Sequence, residues 1–411
     1  MKPVSRKAST PSSVEGQGRL ADFRLAYFRL AYFKERRDQI VSTIRELVEI
    51  ESPSDNKAAV DRVSEAVAHK FSRLGGDVRI HPAQDFGNHL QVDLPGNSAA
   101  KPVLLLGHYD TVYPLGTLAN MPCRVMENDN KLTGPGVLDM KSGIALMIYA
   151  LAALQDWHKE DCHGRLPRPV TVLLVSDEEV GSDSSRAITE SLAKKSAAVL
   201  VLEPSYGFQG AVKTARKGVG EYLVKVKGKA SHAGLDFQKG VNAILELARQ
   251  IEEISSFTEL KKGLTVNVGV VSGGSRTNVV PAEASAQVDV RIARMKDAAG
   301  IDKKMRSLRP FNRKCKIEIS GGINRPPMER TAGVAALYKQ AVAIARDLGW
   351  KLGEAAVGGG SDGNFTAGLG IPTLDGLGGV GDGAHAPHEH ILISELPRRA
   401  ALLAGLIERA D

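Results

Sequence analysis

The sequence predicts an α/β fold in which helices cover both faces of a mostly parallel sheet and a ferredoxin-like α+β domain is inserted. The run Val103-Leu-Leu-Leu-Gly107 is apolar throughout, which is typical of a strand buried on both faces. Strands and helices alternate around it. Between residues 217 and 325 the order becomes βαββαβ, the ferredoxin-like pattern. A chain of 411 residues is long enough for two domains, because single cores stop growing near about 250 to 300 residues.

The elements follow from apolar spacing and from Gly and Pro signals. Apolar residues at helical spacing predict a helix over 38–51, which Pro53 ends, and a second over 57–74, which stops at Gly75-Gly76. The remaining elements of this first region are strands at 78–80, 89–94, 103–107, 170–175 and 197–202, and helices at 142–154 and 184–194.

The inserted region is predicted to contain strands at 221–227, 264–271, 284–292 and 315–320, with helices at 241–254 and 297–308. Beyond it come a helix at 331–348, strands near 355 and at 373–376, and a last helix at 394–408. We therefore assign residues 36–216 and 326–411 to one domain and residues 217–325 to a domain inserted into it.

Residues 1–35 are predicted to be a disordered or poorly ordered basic extension, with a membrane-surface or partner-binding segment as the alternative. They contain the tandem pentapeptide Arg24-Leu-Ala-Tyr-Phe28 and Arg29-Leu-Ala-Tyr-Phe33, whose period of five matches neither helix nor strand. Nine basic and four acidic residues lie in 1–38, so 9 − 4 = +5 of the net charge of +7 belongs to this segment. The remainder carries too little charge for a nucleic-acid surface.

Composition excludes several further classes of protein. The three cysteines are widely spaced and form no CxxC pattern, which argues against a disulfide framework and favours a cytoplasmic location. The apolar runs are shorter than the ~20 residues of a membrane helix, so we expect no membrane span.

Acidic and imidazole side chains follow several predicted strands at the point where each strand ends. They are His108, Asp110, Asp139, the pair Glu178-Glu179, Glu203 and, in a glycine-rich loop, His385. Side chains from the carboxyl ends of parallel strands meet at one edge of a sheet. At an effective dielectric constant of 20, two carboxylates about 4 Å apart repel by about 4 kcal/mol, so such a group needs divalent cations.

Two histidines with an excess of carboxylates suit zinc, or cobalt or manganese in its place, in a two-metal site. Adjacent Glu178 and Glu179 diverge in an extended backbone, so that one can bind metal while the other faces a water molecule. Each position alone has a plainer explanation: a capping His-x-Asp pair, a solvated Glu-Glu, or a histidine-rich loop. Their joint occurrence at successive strand ends favours the metal site.

The motifs that carry these residues resemble one known family. They are His108-Tyr-Asp-Thr-Val, Gly134-Pro-Gly-Val-Leu-Asp-Met-Lys, Ser176-Asp-Glu-Glu-Val-Gly-Ser, Glu203-Pro, Gly228-Lys-Ala-Ser-His-Ala-Gly and Gly359-Gly-Ser-Asp. The family is the zinc-dependent one of bacterial glutamate carboxypeptidase, aminoacylase, acetylornithine deacetylase and succinyl-diaminopimelate desuccinylase. From about Asp38 onward the chain is most similar to the glutamate carboxypeptidase branch.

The resemblance implies a dizinc catalytic domain and an inserted lid and dimerisation domain. His108 and Glu203 would bind one zinc, Glu179 and His385 the other, and Asp139 would bridge both. Asp110 would orient His108, Glu178 would be the general base, and the Asp139-Met140 peptide would be cis. His388 is the alternative to His385; with His385 as ligand, His388 and Glu389 fall outside the site on the departing loop.

In the inserted domain, the resemblance makes His232 a catalytic residue that reaches the site of a neighbouring subunit. Asn278 and Arg291 correspond to substrate-binding positions, and Arg325 is a candidate for holding the substrate's free carboxylate. Gly360, with Gly359, would present backbone N–H groups to the substrate. A phosphate-binding loop is disfavoured there because the Lys-Ser/Thr ending is missing.

The sequence thus predicts a hydrolase that cleaves an amide bond next to a free carboxylate, most simply a carboxypeptidase that releases an amino acid such as glutamate. Its partners would be a small peptide or N-acyl amino acid and a second copy of the chain. The alternatives are an N-acyl amino acid deacylase with the same metals, and a noncatalytic binding protein on the same fold.

Overall fold

The computed structural model describes residues 28–162 and 165–409, which group into two units. The first unit holds the described residues up to Val212 together with Ala335–Glu354 and the chain from Leu374 onward. The second holds Lys213–Val334 and Ala355–Thr373. Its first boundary lies close to the predicted one, but residues 326–334 and 355–373, which were predicted to belong to the first domain, group with the second unit.

Besides the helical residues 28–35, the α-helices within the described residues are α1 Arg37–Val48, α2 Lys57–Arg73, α3 Ser142–Trp157, α4 Arg186–Lys195, α5 Ala243–Ser255, α6 Ala298–Arg306, α7 Ala332–Asp347, α8 Gly363–Gly368 and α9 Leu396–Arg409. The strands are β1 Asp77–His81, β2 His89–Leu94, β3 Val103–His108, β4 Arg124–Met126, β5 Lys131–Thr133, β6 Val170–Val175, β7 Ala198–Val201, β8 Val212–Arg216, β9 Gly218–Lys227, β10 Ser231–His232, β11 Thr265–Gly273, β12 Val279–Val280, β13 Glu283–Ile292, β14 Lys316–Arg325, β15 Glu354–Val357, β16 Thr373–Leu374, β17 Gly381–Asp382 and β18 His390–Leu392.

The main sheet of the first unit has the strand order β1-β2-β6-β3-β7-β16. β3 lies between β6 and β7 and is parallel to both, and every residue of β3 is buried. β1 and β2 pair antiparallel with each other, and β2 pairs antiparallel with β6. The sheet is therefore mixed, with a parallel centre, and the expectation of a mostly parallel sheet is too strong because short connections let the edge strands run antiparallel.

Helix α3 is apolar enough to resemble a membrane span. Together with the turn before it, Val137–Trp157 meets the length and composition of such a span, although 83% of its most apolar stretch is buried inside the protein. α3 packs against α1, α9 and β3. The prediction that the chain contains no apolar stretch of this length is wrong; the burial is that of a helix in a protein core.

A small sheet of order β17-β18-β5-β4 was not predicted, because its strands are only two or three residues long. β18 pairs antiparallel with β5 in the register His390 to Thr133. The loop that follows β5 carries Asp139, and the loop that precedes β18 carries His385. The pairing therefore brings these two loops side by side.

The second unit contains an antiparallel sheet of order β11-β13-β9-β14 with its own buried cluster of apolar side chains. Helices α5 and α6 connect β9 to β11 and β13 to β14. This is the βαββαβ pattern expected for this stretch. Strand β11 lies at one edge of the sheet.

The segment that precedes α1 is described from residue 28 onward. Residues 28–35 are helical, Phe33 is fully buried, and Arg29 forms an ion pair of 2.6 Å with Glu408. The rings of Tyr32 and Phe33 each lie 5.7 Å from that of Trp157. The prediction of a poorly ordered extension over 1–35 does not hold for residues 28–35, and residues 1–27 lie outside the described residues. The period of five does not prevent a helix here. A single pentapeptide places its first, fourth and fifth residues on the same face of a helix.

We expect Phe33→Ala to lower the free energy of unfolding by about 3 to 5 kcal/mol, because it leaves a cavity against Trp157. Phe28→Ala is the matched control. It removes the corresponding ring of the other pentapeptide, which is 59% exposed, and should change stability by no more than about 0.5 kcal/mol. Chemical denaturation of both variants tests this, and equal effects would contradict the docking described here.

Candidate metal centre

His108 stands at the end of β3 with 1% of its surface exposed. Its Nδ1 lies 3.0 Å from the backbone carbonyl of Asp110, which can only accept, so Nδ1 carries a proton. Its Nε2 faces Asp139 Oδ1 at 3.2 Å and Glu203 Oε1 at 3.4 Å. A donated Nδ1–H with Nε2 directed at carboxylates is the orientation of a histidine that binds metal.

Asp110 is fully buried and connects three segments of the chain. One carboxylate oxygen accepts the Ser54 hydroxyl at 2.7 Å and the Glu179 N–H at 3.2 Å. The other accepts the Glu178 N–H at 3.3 Å and lies 3.4 Å from His108 Nδ1. Asp110 therefore fixes the turn of the two glutamates as well as the histidine. Sequence reasoning missed Ser54, because a serine that precedes a helix is common in loops and does not by itself indicate a functional site.

Asp139 lies between the two histidines. Its Oδ1 faces His108, and its Oδ2 lies 3.5 Å from Nε2 of His385. The Asp139-Met140 peptide is cis, as the resemblance implies. A carboxylate that presents one oxygen to each of two imidazoles has the arrangement that a bridging ligand needs.

The remaining carboxylates lie on either side of this pair. Nε2 of His385 is 3.1 Å from the Glu179 carboxylate. The ligand atoms of His108, Asp139 and Glu179 lie within 4.8 Å of one another, and so do those of His108, Glu178 and Glu203. The first unit thus brings together every metal ligand that the resemblance implies, with Glu178 beside them.

The donor set fits divalent zinc, which binds imidazole nitrogen and carboxylate oxygen. Burial lowers the pKa of His108, but hydrogen bonds with the surrounding carboxylates raise it well above its usual value. Hydrogen bonds with Asp139 and Glu179 likewise raise the pKa of His385 to about 10. Burial raises the pKa of Asp139, yet hydrogen bonds from the two histidines hold it below its usual value. The carboxylates of the centre therefore stabilise positive charge on the two imidazoles, as they would on a bound cation.

Glu389 supports this centre through the backbone of the Asp139 loop, a role that sequence reasoning missed. It is fully buried, and its carboxylate accepts the backbone N–H groups of Gly136, Leu138 and Asp139 at 3.1, 2.7 and 2.9 Å. Burial raises its pKa. Glu389 therefore holds the loop that carries Asp139. His388 is exposed, and the histidine whose Nε2 lies near Asp139 and Glu179 is His385.

His232 lies in β10 of the second unit, and its side chain is exposed. Its Nδ1 accepts the N–H groups of Gly234 and Leu235, both at 3.1 Å. In the neutral ring Nε2 then carries the proton and can donate it. The backbone carbonyl of Asn278 accepts the N–H of Ala233 at 2.9 Å, which brings the two predicted positions together next to the pairing of β10 with β12.

The other predicted substrate residues also belong to the second unit. Arg291, in β13, pairs with Asp289 at 2.9 Å and is partly exposed. Arg325 is buried, pairs with Asp362 at 2.5 Å and lies over the ring of Phe365. The carbonyl of Gly360 accepts Nη1 of Arg216 at 2.9 Å. Arg325 is thus engaged by a carboxylate of the protein itself, and the binding of substrate by these residues stays a prediction.

Comparison with known proteins agrees with this geometry. The model of peptidase family M20/M25/M40 matches residues 104–409. The chain is 31% identical to carboxypeptidase G2 of a Pseudomonas species over 90% of this chain and 88% of that protein. It is 28% identical to acetylornithine deacetylase of Salmonella arizonae over 61% of this chain and 67% of that protein.

A solved tripeptidase of Staphylococcus aureus has the same fold. Its TM-score is 0.73 at 23% identity, with 90% of this chain and 98% of that chain covered. The family match spans most of this chain, and the similarity to carboxypeptidase G2 covers nearly the whole length of both proteins. The chain belongs to the metal-dependent peptidase family M20/M25/M40, with carboxypeptidase G2 among its relatives.

Proposed function

We propose that the chain is a two-zinc carboxypeptidase that cleaves the amide bond next to a free carboxylate and releases a C-terminal amino acid such as glutamate. The observation that carries this proposal is the position of Asp139 between His108 and His385. His108 and Glu203 would hold one ion, and Glu179 and His385 the other. Cobalt or manganese suits the same donors.

Two ions held in this way would supply Lewis acidity for the scissile carbonyl and lower the pKa of a water molecule to near 7. Glu178 takes the proton of that water and passes it to the leaving amine. Its turn is held by Asp110, which accepts the Glu178 and Glu179 N–H groups. Buried surroundings strengthen each of these charge interactions.

His232 would act on the site of a partner subunit. Because its Nδ1 already accepts two backbone N–H groups, the neutral ring presents Nε2–H outward. That donor would stabilise the oxyanion that forms on the scissile carbonyl. The proposal therefore includes a homodimer formed through the second unit.

Preference for a substrate with a free carboxylate draws its support from the similarity to carboxypeptidase G2. Arg291 suits the carboxylate better than Arg325, because its side chain is 32% exposed and that of Arg325 is 7% exposed. The similarity to acetylornithine deacetylase supports an N-acyl amino acid deacylase as the second candidate.

Purified protein loaded with zinc should release free amino acid from folyl-glutamate or from short peptides with C-terminal glutamate. A chelator should abolish that release, and added zinc should restore it. Release of acetate from N-acetyl amino acids alone would select the deacylase. Two bound zinc ions without turnover on any of these substrates would contradict the proposed substrate class and favour a noncatalytic binding protein.

Glu178→Gln should lower kcat by about 10² to 10⁴-fold, because glutamine cannot take the proton of the water. Zinc content should stay at that of the wild-type protein, since the metal ligands are other residues. Glu127→Gln, at an exposed glutamate, is the control and should leave kcat unchanged. Metal analysis and steady-state kinetics test the assignment, and full turnover in Glu178→Gln would refute it.

The proposed dimer surface combines the edge strand β11 with the start of α5. Val270 and Val271 are 53% and 56% exposed, and Ile244 and Leu245 on α5 are 42% and 56% exposed. An edge strand with exposed apolar residues pairs readily with another copy of itself. A second copy would cover these side chains and continue the sheet.

Val271→Lys should shift the protein from dimer to monomer in sedimentation velocity, because a charge cannot be buried at such an interface. Val125→Lys, at a valine that is 37% exposed in the first unit, serves as the matched control. A wild-type protein that sediments as a monomer would rule out the dimer. Equal sedimentation of the two variants would place its interface elsewhere.

A further inference from the structure

Arg399, on helix α9, is a fully buried arginine that forms no ion pair among the described residues. Its guanidinium donates to three backbone carbonyls instead. Nε donates to Gly378 at 2.9 Å, Nη1 to Gly210 at 2.9 Å, and Nη2 to Gly376. Burial lowers its pKa to about 9.

A buried charge without a directly paired counter-charge is costly, and Glu395, the carboxylate that raises the pKa of Arg399, forms its ion pair with Arg398 instead. The rigid fork of arginine can reach three carbonyls at once, which the single nitrogen of lysine cannot do with the same geometry. The three carbonyls belong to two separate segments of the first unit. The structural role of Arg399 therefore depends on which residues these two segments contact.

Residues 376–379 run beside the chain that leaves β7 and carries Glu203. The Leu377 N–H donates to the Val201 carbonyl at 3.1 Å, and the Gly378 N–H donates to the Glu203 carbonyl at 2.8 Å. The Ser205 N–H and hydroxyl both donate to the Gly379 carbonyl, at 2.9 and 3.0 Å. Arg399 thus binds one side of this segment while the other side binds the residues around Glu203.

The approach is too close for a side chain at Gly378. An added Cβ would lie 2.2 Å from the Leu202 carbonyl oxygen and 2.7 Å from that of Glu203. Such a tight backbone pairing transmits a displacement of residues 376–378 directly to Glu203. The Glu203 carboxylate in turn lies 3.4 Å from Nε2 of His108.

We propose that Arg399 is a positioning residue for Glu203, and through it for the half of the metal centre formed by His108 and Glu203; this rests on the proposed two-metal site. The other half is anchored separately. Between Gly379 and His385, the chain is fixed by the pairing of β17 with β18. The turn of Glu179 is held by Asp110. Loss of Arg399 should therefore weaken one metal position and spare the other.

Arg399→Met removes the three hydrogen bonds at similar side-chain length. Zinc binding to the metal-free protein, followed by chelator competition, measures the two dissociation constants without any assay of activity. We expect one constant to rise by about 10 to 100-fold, the effect typical of lost outer contacts to a metal ligand, and the other to stay unchanged. Thermal unfolding of each variant shows that it is folded.

Arg168→Met is the matched control. Arg168 is also a buried arginine that donates to a backbone carbonyl, that of Lys101, but it precedes β6, whereas Glu178 follows the other end of that strand. Both zinc constants should match the wild-type values in this variant. If Arg399→Met does not fold, Arg399→Lys tests the proposal instead. It should raise the zinc dissociation constant of the same metal position several-fold and leave the other unchanged.

A double-mutant cycle identifies the position affected. In a Glu203→Ala background, Arg399→Met should weaken zinc binding no further, whereas in a His385→Ala background it should weaken the remaining site as it does in the wild-type protein. Unchanged constants in Arg399→Met, or an equal loss at both positions, would overturn the inference. A wild-type protein that binds fewer than two zinc ions would instead refute the proposed metal centre.

Discussion

Mutual repulsion among the carboxylates gathered at the ends of β3, β6 and β7 is the constraint on which the site depends. Several of them lie within 4.8 Å of a histidine nitrogen in a largely buried place, where water screens charge poorly. The raised pKa of both histidines is one consequence, since imidazolium supplies part of the missing positive charge. The proposed pair of divalent cations would satisfy the same demand more fully, with the imidazoles as neutral ligands.

The loops that carry these ligands are irregular, and buried charged side chains hold their backbones. Asp110 accepts the N–H groups of the two glutamates, and Glu389 accepts three N–H groups around Asp139. Arg399 has the opposite sign and binds carbonyls next to the segment of Glu203. In each case a side chain replaces the partners that a regular helix or sheet would give to the backbone. Ligand geometry is thus set by residues that touch no ligand atom themselves.

The two units divide the proposed work. The first unit contains all the candidate ligands and the candidate base, on a sheet whose parallel centre aligns three strand ends. The second contains the exposed donor His232, the partly exposed Arg291 and an apolar sheet edge at β11. The proposed metal centre on one unit and the proposed recognition groups on the other agree with the general rule that a stable scaffold holds the chemistry while other segments select the substrate.

The sequence by itself determined the parts that depend on local pattern. The apolar run of β3 with His108 at its end, the alternation of strands and helices, and the βαββαβ order of the second unit all follow from side-chain periodicity and can be recognised without coordinates. The motifs also identified the candidate ligands. His108, Glu179 and Glu203 lie at or just beyond the ends of strands, whereas Asp139 and His385 lie in loops.

Only the tertiary structure decided what depends on distant partners. The small sheet that aligns the loops of Asp139 and His385 is built from strands too short to leave a periodic signal. Glu389 and Arg399 read as an ordinary loop glutamate and an ordinary helix arginine, and their roles become visible only through backbone groups brought from up to 253 positions away. The helix at 28–35 likewise depends on Trp157 and Glu408, residues remote in sequence. Sequence periodicity predicts which face of a helix or strand is buried, but it does not predict which distant residue that face contacts. The geometry of this site depends on those contacts.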